Sequence, residues 1–357
     1  MKASDSYQLG LLVAGLVLLL GILVPQADAQ VPAYTVTELG TFGGARSVAL
    51  SINKFGQVAG FSEAVDGSYQ AFVYTTDKTL LNLGTLGGTD SYAYRISDSG
   101  LVIGRSNNAG GNNRAFITIL NSSMFDISSL DARLGGSFSI ASGINGLGQV
   151  VGYFHTASEH MAARNRVFIY SNNRVTDLGT FGGTDGIVTA INDSGQMIGS
   201  YGKEPKADYA ERIAFLYSGG KVINLGTLGG NVTAAMDLNN RGQVVGYSQT
   251  RSGEYHSFIY AAGVLTDLGT LPGGTQSFAY GINNSGQVVG ASDAAGSTLH
   301  AFLYSAGVMR DLNGLLPANS GWVLTEARGI NNDGQIVGNG IKNDLQRAFL
   351  LTPVTAR

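Results

Sequence analysis

The sequence contains no cysteine. That excludes a disulfide scaffold, a thiol nucleophile, cysteine-ligated zinc and a lipid-modified cysteine behind a leader. Charge is also scarce. Asp, Glu, Lys and Arg make up 13% of the chain, and the formal net charge is −3. A charge-poor, slightly acidic chain carries no electrostatic footprint for nucleic acid. Proline is rare, with 6 residues in 357, and glycine does not recur every third position, so collagen is excluded. No 12-residue stretch shows helical periodicity. What remains is a chain that is 44% hydrophobic and holds 52 Gly. Its apolar residues are spread along the whole length, which argues against disorder.

There is one long apolar run. Leu9 to Val24 is 16 residues of apolar side chains and glycine, preceded by Lys2 and ended by Pro25. Ala27-Asp28-Ala29 supplies a small-x-small cleavage pattern. Residues 1–29 therefore read as a secretory signal peptide cut before Gln30. The rival reading, a retained anchor, meets the objection that a span needs about 20 apolar residues. Residues 30–357 are then one soluble domain, secreted or periplasmic. Without disulfides it must rest on a large core, which its length allows.

That domain is built from one repeated unit. The pattern Gly-Gln-Val-Val-Gly recurs seven times, at 56–60, 100–104, 148–152, 195–199, 242–246, 286–290 and 334–338, spaced by 44, 48, 47, 47, 44 and 48 residues. Gln follows the first Gly in six copies, and Leu101 is the exception. Upstream lies an aliphatic-Asn pair, as in Ile282-Asn283, with Ser97 replacing Asn in one copy. Downstream lies an Ala-Phe-x-Tyr-like segment. Its Phe is present throughout: Phe72, Phe116, Phe168, Phe215, Phe258, Phe302 and Phe349. An acid or amide plus an aliphatic follows, as in Asn82-Leu83, Asp177-Leu178 or Asp311-Leu312, and then, in most copies, Gly-Thr-Leu-Gly-Gly.

Asn-x-x-Gly is turn chemistry: Asn bonds backbone two residues on, and Gly at the fourth position accepts a positive φ. Between short β-rich runs it predicts a hairpin. Each unit thus reads as four strands: a (the Ile-Asn run), b (Gln-Val-Val-Gly), c (Ala-Phe-x-Tyr) and d (x-x-Asp-Leu). The prediction is an all-β, seven-bladed β-propeller with four antiparallel strands per blade. The chain ends support it. Tyr34–Leu39 matches a d strand with nothing before it, and Arg347–Leu351 a c strand with nothing after it. The first strand is expected to complete the last blade and close the ring. The repeat Phe are expected between blades. The second repeat Gly, as in Gly290, implies close approach of an adjacent blade or a bulge.

His300-Ala301-Phe302, with Ile282-Asn-Asn-Ser-Gly-Gln-Val-Val-Gly290 before it and Asp311-Leu312 after it, resembles the bacterial extracellular HAF-repeat family over essentially the whole mature chain. The resemblance implies export and a repeat architecture, and it brings no catalytic residue. Other copies read Gln70, Arg114, Arg166, Ile213, His256 and Arg347 at the histidine position, which argues against a histidine-based site there.

With strand a innermost, the d–a and b–c loops share one face, and the a–b and c–d turns share the other. The a–b turns are uniform and the b–c loops vary, so the ligand face is expected on the b–c side. Two b–c loops hold an unusual share of the charges. One carries His155, Glu159, His160 and Arg164. The other carries Lys203, Glu204 and the run Lys206-Ala207-Asp208. The spacing of His155, Glu159 and His160 misses both helical zinc motifs. Asp90 and Asp185 follow Gly-Gly-Thr in d–a loops. With Glu159 they are the candidate carboxylates for glycan hydrolysis or lysis, against a loop-capping role. Six repeat Gln (57, 149, 196, 243, 287, 335) form a ring by symmetry, and their amides are expected to bond between blades. The sequence favours a secreted, non-enzymatic binding or cell-surface scaffold: monomeric, without cofactor or metal, off the membrane after leader removal, and recognising an extracellular carbohydrate or protein. An extracellular glycan hydrolase or lyase and a calcium-dependent adhesion module are the alternatives.

Overall fold

The computed structural model describes residues 34–354, apart from 135, 137, 156–164, 203–211 and 297. Its strands form seven four-stranded antiparallel sheets, six of them ordered as in the chain. Blade 1 shows the pattern: strand a is Gly43–Ile52, b Val58–Ala64, c Tyr69–Tyr74 and d Leu80–Asn82. Blades 2 to 6 repeat it over 87–126, 139–179, 185–224, 229–269 and 277–311. Blade 7 takes strands a to c from Trp322–Ile330, Ile336–Lys342 and Leu345–Pro353, and its outer strand is Tyr34–Glu38. The register runs from Tyr34 opposite Pro353 to Glu38 opposite Phe349. The predicted architecture and closure are therefore observed. Each a strand touches the a strands of both neighbours, so the seven ring the axis.

The repeat residues explain the packing. All seven repeat Phe are fully buried. Phe302 packs with Ile282 and Val288 of its own blade and with Val245 and Leu268 of blade 5, so these rings do fill the spaces between blades. The second repeat Gly answers a contact inside the blade rather than from the adjacent one. In all seven blades strand a carries a bulge, for example between Ala279 and Gly281. The bulge presses a strand-a carbonyl onto the Gly of strand b. A methyl on Gly290 would stand 2.0 Å from the Phe278 oxygen.

The a–b turns behave as their chemistry predicts: Asn283 Oδ1 accepts from the Ser285 N–H, and Gly286 has φ +82°. The repeat Gln departs from expectation. Each Gln Oε1 accepts from the Asn of its own turn, as Gln287 does from Asn283 Nδ2 at 2.7 Å. The Asn makes the bond between blades. Its Nδ2 also donates to the backbone carbonyl of the corresponding residue in the next blade, as from Asn239 to Asn283, Asn283 to Asn331 and Asn331 to Asn53. One amide can do both because it carries two N–H groups. The circle breaks where Ser97 replaces Asn, and that copy also has Leu101 in place of Gln. Ser97→Asn is expected to raise the unfolding free energy by about 0.5–1.5 kcal/mol, and Asn283→Ala to lower it by about 1–3 kcal/mol. Urea midpoints of the two variants check this.

Strands c and d are matched by charge. His256 Nδ1 lies 2.8 Å from Asp267, His300 Nδ1 2.7 Å from Asp311, Arg166 Nη2 2.8 Å from Asp177 and Arg347 Nε 3.2 Å from Glu38. Where strand d carries an amide, Asn82 or Asn224, strand c carries the uncharged Gln70 or Ile213. The histidine of the His-Ala-Phe motif is thus half of a strand-pairing contact. Strand d varies after its acid or amide. Where Gly follows two residues later it takes positive φ, as at Gly269 (+71°). Asp126 and Asp311 lack that Gly and instead cap short 3-10 turns, Ile127–Leu130 and Leu312–Leu315.

Candidate functional site

A bulge turns two successive residues to the same side of a strand. In this ring that side is the axis. The seven extra residues are Leu50, Tyr94, Ser142 and Thr189, then Met236, Tyr280 and Arg328, and all of them line one cavity of about 270 Å³. A second axial cavity, of about 230 Å³, lies at the a–b turns and is rimmed by Asn145, Asn192, Asn239, Asn283 and Asn331. Arg95 lines both. It reaches from blade 2 to blade 5, where its Nη2 lies 3.4 Å from Asp237 Oδ1 and 3.4 Å from the Met236 carbonyl oxygen. The pair is a bar across the channel.

The environment sets the charges. Burial pushes the Asp237 carboxyl up, against the pull of Arg95. Burial likewise pushes the Tyr94 phenol up to about 12, with Arg105 opposing, and raises Tyr280 against Arg328. Both phenols therefore stay neutral hydrogen-bonding groups at physiological pH. The Arg328 guanidinium lies 4.0 Å from the Tyr280 ring centroid and pairs with Glu326 at 2.5 Å. Ser142 and Thr189 donate to the Val188 and Ala235 carbonyls of the next blade, which fixes their rotamers. The channel wall is thus mainly apolar, three tyrosines and five aliphatic side chains, with the Ser142 and Thr189 hydroxyls and two guanidiniums each held by a carboxylate.

The sequence candidates lie elsewhere. Asp90 is in strand a of blade 2, inside Gly87–Ile96, and Asp185 opens Asp185–Ile191; neither is in a free loop. Each accepts a backbone N–H from the start of strand c in the preceding blade, Asp90 from Tyr69 at 2.8 Å and Asp185 from Asn165 at 2.7 Å. Asp185 also pairs with the buried Arg212. Both therefore hold blades together. His155 stacks on Phe138 with centroids 4.5 Å apart. Glu159, His160, Arg164, Lys203, Glu204, Lys206, Ala207 and Asp208 lie outside the described residues, as does the segment 1–29 expected to be a leader. Among the described residues no three His, Asp or Glu side chains gather as metal ligands. Sequence reasoning missed the channel residues, although one signal was available. The position three before the repeat Asn ranges from Leu50 to Arg328 inside an otherwise fixed motif.

A family model described as a protein of unknown function, DUF3466, matches residues 231–350, from strand a of blade 5 to strand c of blade 7. No curated protein matches the chain. Among solved structures, the chain is similar to the β-propeller domain of the Trilobed protease from Pyrococcus furiosus, at 11% identity and TM-score 0.57, covering 87% of this chain and 98% of that one. It is similar to an oligogalacturonate lyase in complex with manganese, at 12% identity and TM-score 0.58, covering 92% and 95%. It is also similar to a puromycin-hydrolyzing peptidase of Mycobacterium tuberculosis, at 12% identity and TM-score 0.58, covering 87% of this chain and 51% of the peptidase. The chain thus spans about half of that peptidase. At these identities the likeness is one of fold, which hosts unrelated functions.

Proposed function

We propose that this chain is an extracellular, non-catalytic binding propeller, and that it takes part of a carbohydrate into the axial channel. The observation that carries the reading is the ring of bulge residues. Seven equivalent backbone positions are held rigidly by the repeat, while their side chains are free to differ, as at a binding surface set on a scaffold. Tyr94 and Tyr280 offer flat apolar faces with polar tips, and Arg328 and the hydroxyls offer directed hydrogen bonds. The Arg95–Asp237 bar obstructs passage, so the ligand enters from the tyrosine side. The leader-like segment 1–29 and the HAF-repeat resemblance support the extracellular half of the reading.

One observation favours an enzymatic reading: Asp237 is a carboxyl raised by burial, facing a cavity beside an arginine. A polysaccharide panel, read by thermal shift and by product release, separates the two. The binding reading expects a shift without products, and about tenfold weaker binding, ~1.4 kcal/mol, in Tyr94→Ala and in Tyr280→Ala. Products that vanish in Asp237→Asn would replace it with the enzymatic reading. No shift with any polysaccharide would overturn it.

A further inference from the structure

A second feature lies off the axis, on the face shared by the b–c and d–a loops. Between blades 4 and 5 the structure holds a cleft of about 740 Å³, within the range of ligand pockets. It opens where the repeat gives up several of its fastenings at once. Ile213 and Asn224 stand where blade 3 has the Arg166–Asp177 pair. Val232 stands where blade 2 has Asp90, so no carboxylate reaches back from that position to the preceding blade. Thr233 stands where Ser91 accepts from Ala71 N–H, and its hydroxyl pairs instead with Ser248 of its own blade at 2.8 Å.

The walls that result are nearly uncharged and mix polar groups with the apolar side chains of Ile213, Ala214 and Val232. Asn224, Asn231 and Gln249 supply amides, Thr227 supplies a hydroxyl, and Tyr255 forms one side. Tyr255 is itself fixed, with its ring stacked on Phe278 at 6.1 Å and 29°. Among the described residues of the lining, Arg212 contributes the one charge, and it is already paired with Asp185. The cleft presents donors and acceptors together with an aromatic face and the aliphatic side chains of Ile213 and Val232. That is the complement of a sugar ring, which carries hydroxyls at its edge and C–H groups on its faces. A lining whose guanidinium is already committed to a carboxylate selects a neutral sugar over an acidic one.

We propose that the cleft between blades 4 and 5 is a saccharide site separate from the channel, and that it takes a neutral oligosaccharide. The test uses the full chain, with cellohexaose and maltohexaose as neutral probes and an oligogalacturonate as the acidic one, in calorimetric titration. Ile213→Arg with Asn224→Asp installs in blade 4 the pair that blade 3 carries, across the cleft wall. This double variant is expected to melt no lower than wild type and to bind the neutral probe at least tenfold more weakly. Tyr255→Ala is expected to lose binding similarly, and Phe125→Ala, on the outer strand of blade 2, to leave it unchanged. The proposal is overturned if neither neutral hexamer binds, if the double variant or Tyr255→Ala binds like wild type, or if the acidic probe binds more tightly than the neutral ones.

Discussion

Replacing Phe302 by Ala is expected to lower the unfolding free energy by about 3–5 kcal/mol. The ring is fully buried between blades 5 and 6, among Val245, Leu268, Ile282 and Val288. Its removal loses the transfer energy of the ring and leaves a cavity that two β-sheets cannot collapse to fill. Gly290 lies directly beneath it. An added methyl there would stand 2.7 Å from the ring and 2.0 Å from the Phe278 oxygen. That carbonyl is held by the bulge, so Gly290→Ala is expected to destabilise by the same mechanism from the opposite side. Phe125, which is 40% exposed on an outer strand, is the control, with Phe125→Ala expected to stay within about 0.5 kcal/mol of wild type. Equilibrium urea unfolding reads all three. An unchanged midpoint for Phe302→Ala would overturn the assignment of the repeat Phe to the core.

Deleting the outer strand of blade 7 through Leu39 is expected to cost the chain its solubility as a monomer. Tyr34 and Leu39 are nearly fully buried, and losing each forfeits roughly 1.5–3 kcal/mol. The deletion also removes Glu38, which lies 3.1 Å from Lys342 and 3.2 Å from Arg347. It uncovers a nine-residue strand, Leu345–Pro353, whose Ala348 to Leu351 are buried in the intact ring. Such an edge pairs with whatever edge it meets. Size-exclusion chromatography should show dimers or larger species, and the melting temperature should fall. A truncated chain that elutes as a monomer and melts like wild type would refute the role of closure.

Much of this architecture is legible before any coordinates, because its signals are local. The turn glycine, the four short strands and the unpaired terminal strand each announce themselves within a few residues. The channel is less legible for a specific reason. Reading strands with a period of two assigns Tyr94 and Arg95 to opposite faces, and the bulge brings both to the axis. The reach of Asn283 to Asn331 is invisible because its partner lies a whole repeat away. Its trace is the joint loss of Asn and Gln in blade 2, at Ser97 and Leu101. Asp90 and Asp185 look like free loop carboxylates in the sequence because nothing in their own segment names Tyr69 or Asn165 as partners. The cleft between blades 4 and 5 is written only as small departures, at Ile213, Asn224 and Val232, each unremarkable alone.

The pairing of Tyr34 with Pro353 also governs how the molecule comes together in time. In six blades each strand pairs with its chain neighbour, so hairpins form over short loops. The junction of blades 7 and 1 is different: Asn331 must find Asn53, and the first strand must find the last. Loop entropy rises slowly with length, yet such a contact forms only after the sheets between have taken shape. Assembly is then expected to end with this closure. Interactions made in that step slow escape from the native ring more than they speed its formation. The junction that joins the two ends of the chain is therefore where its lifetime, as distinct from its equilibrium stability, is set.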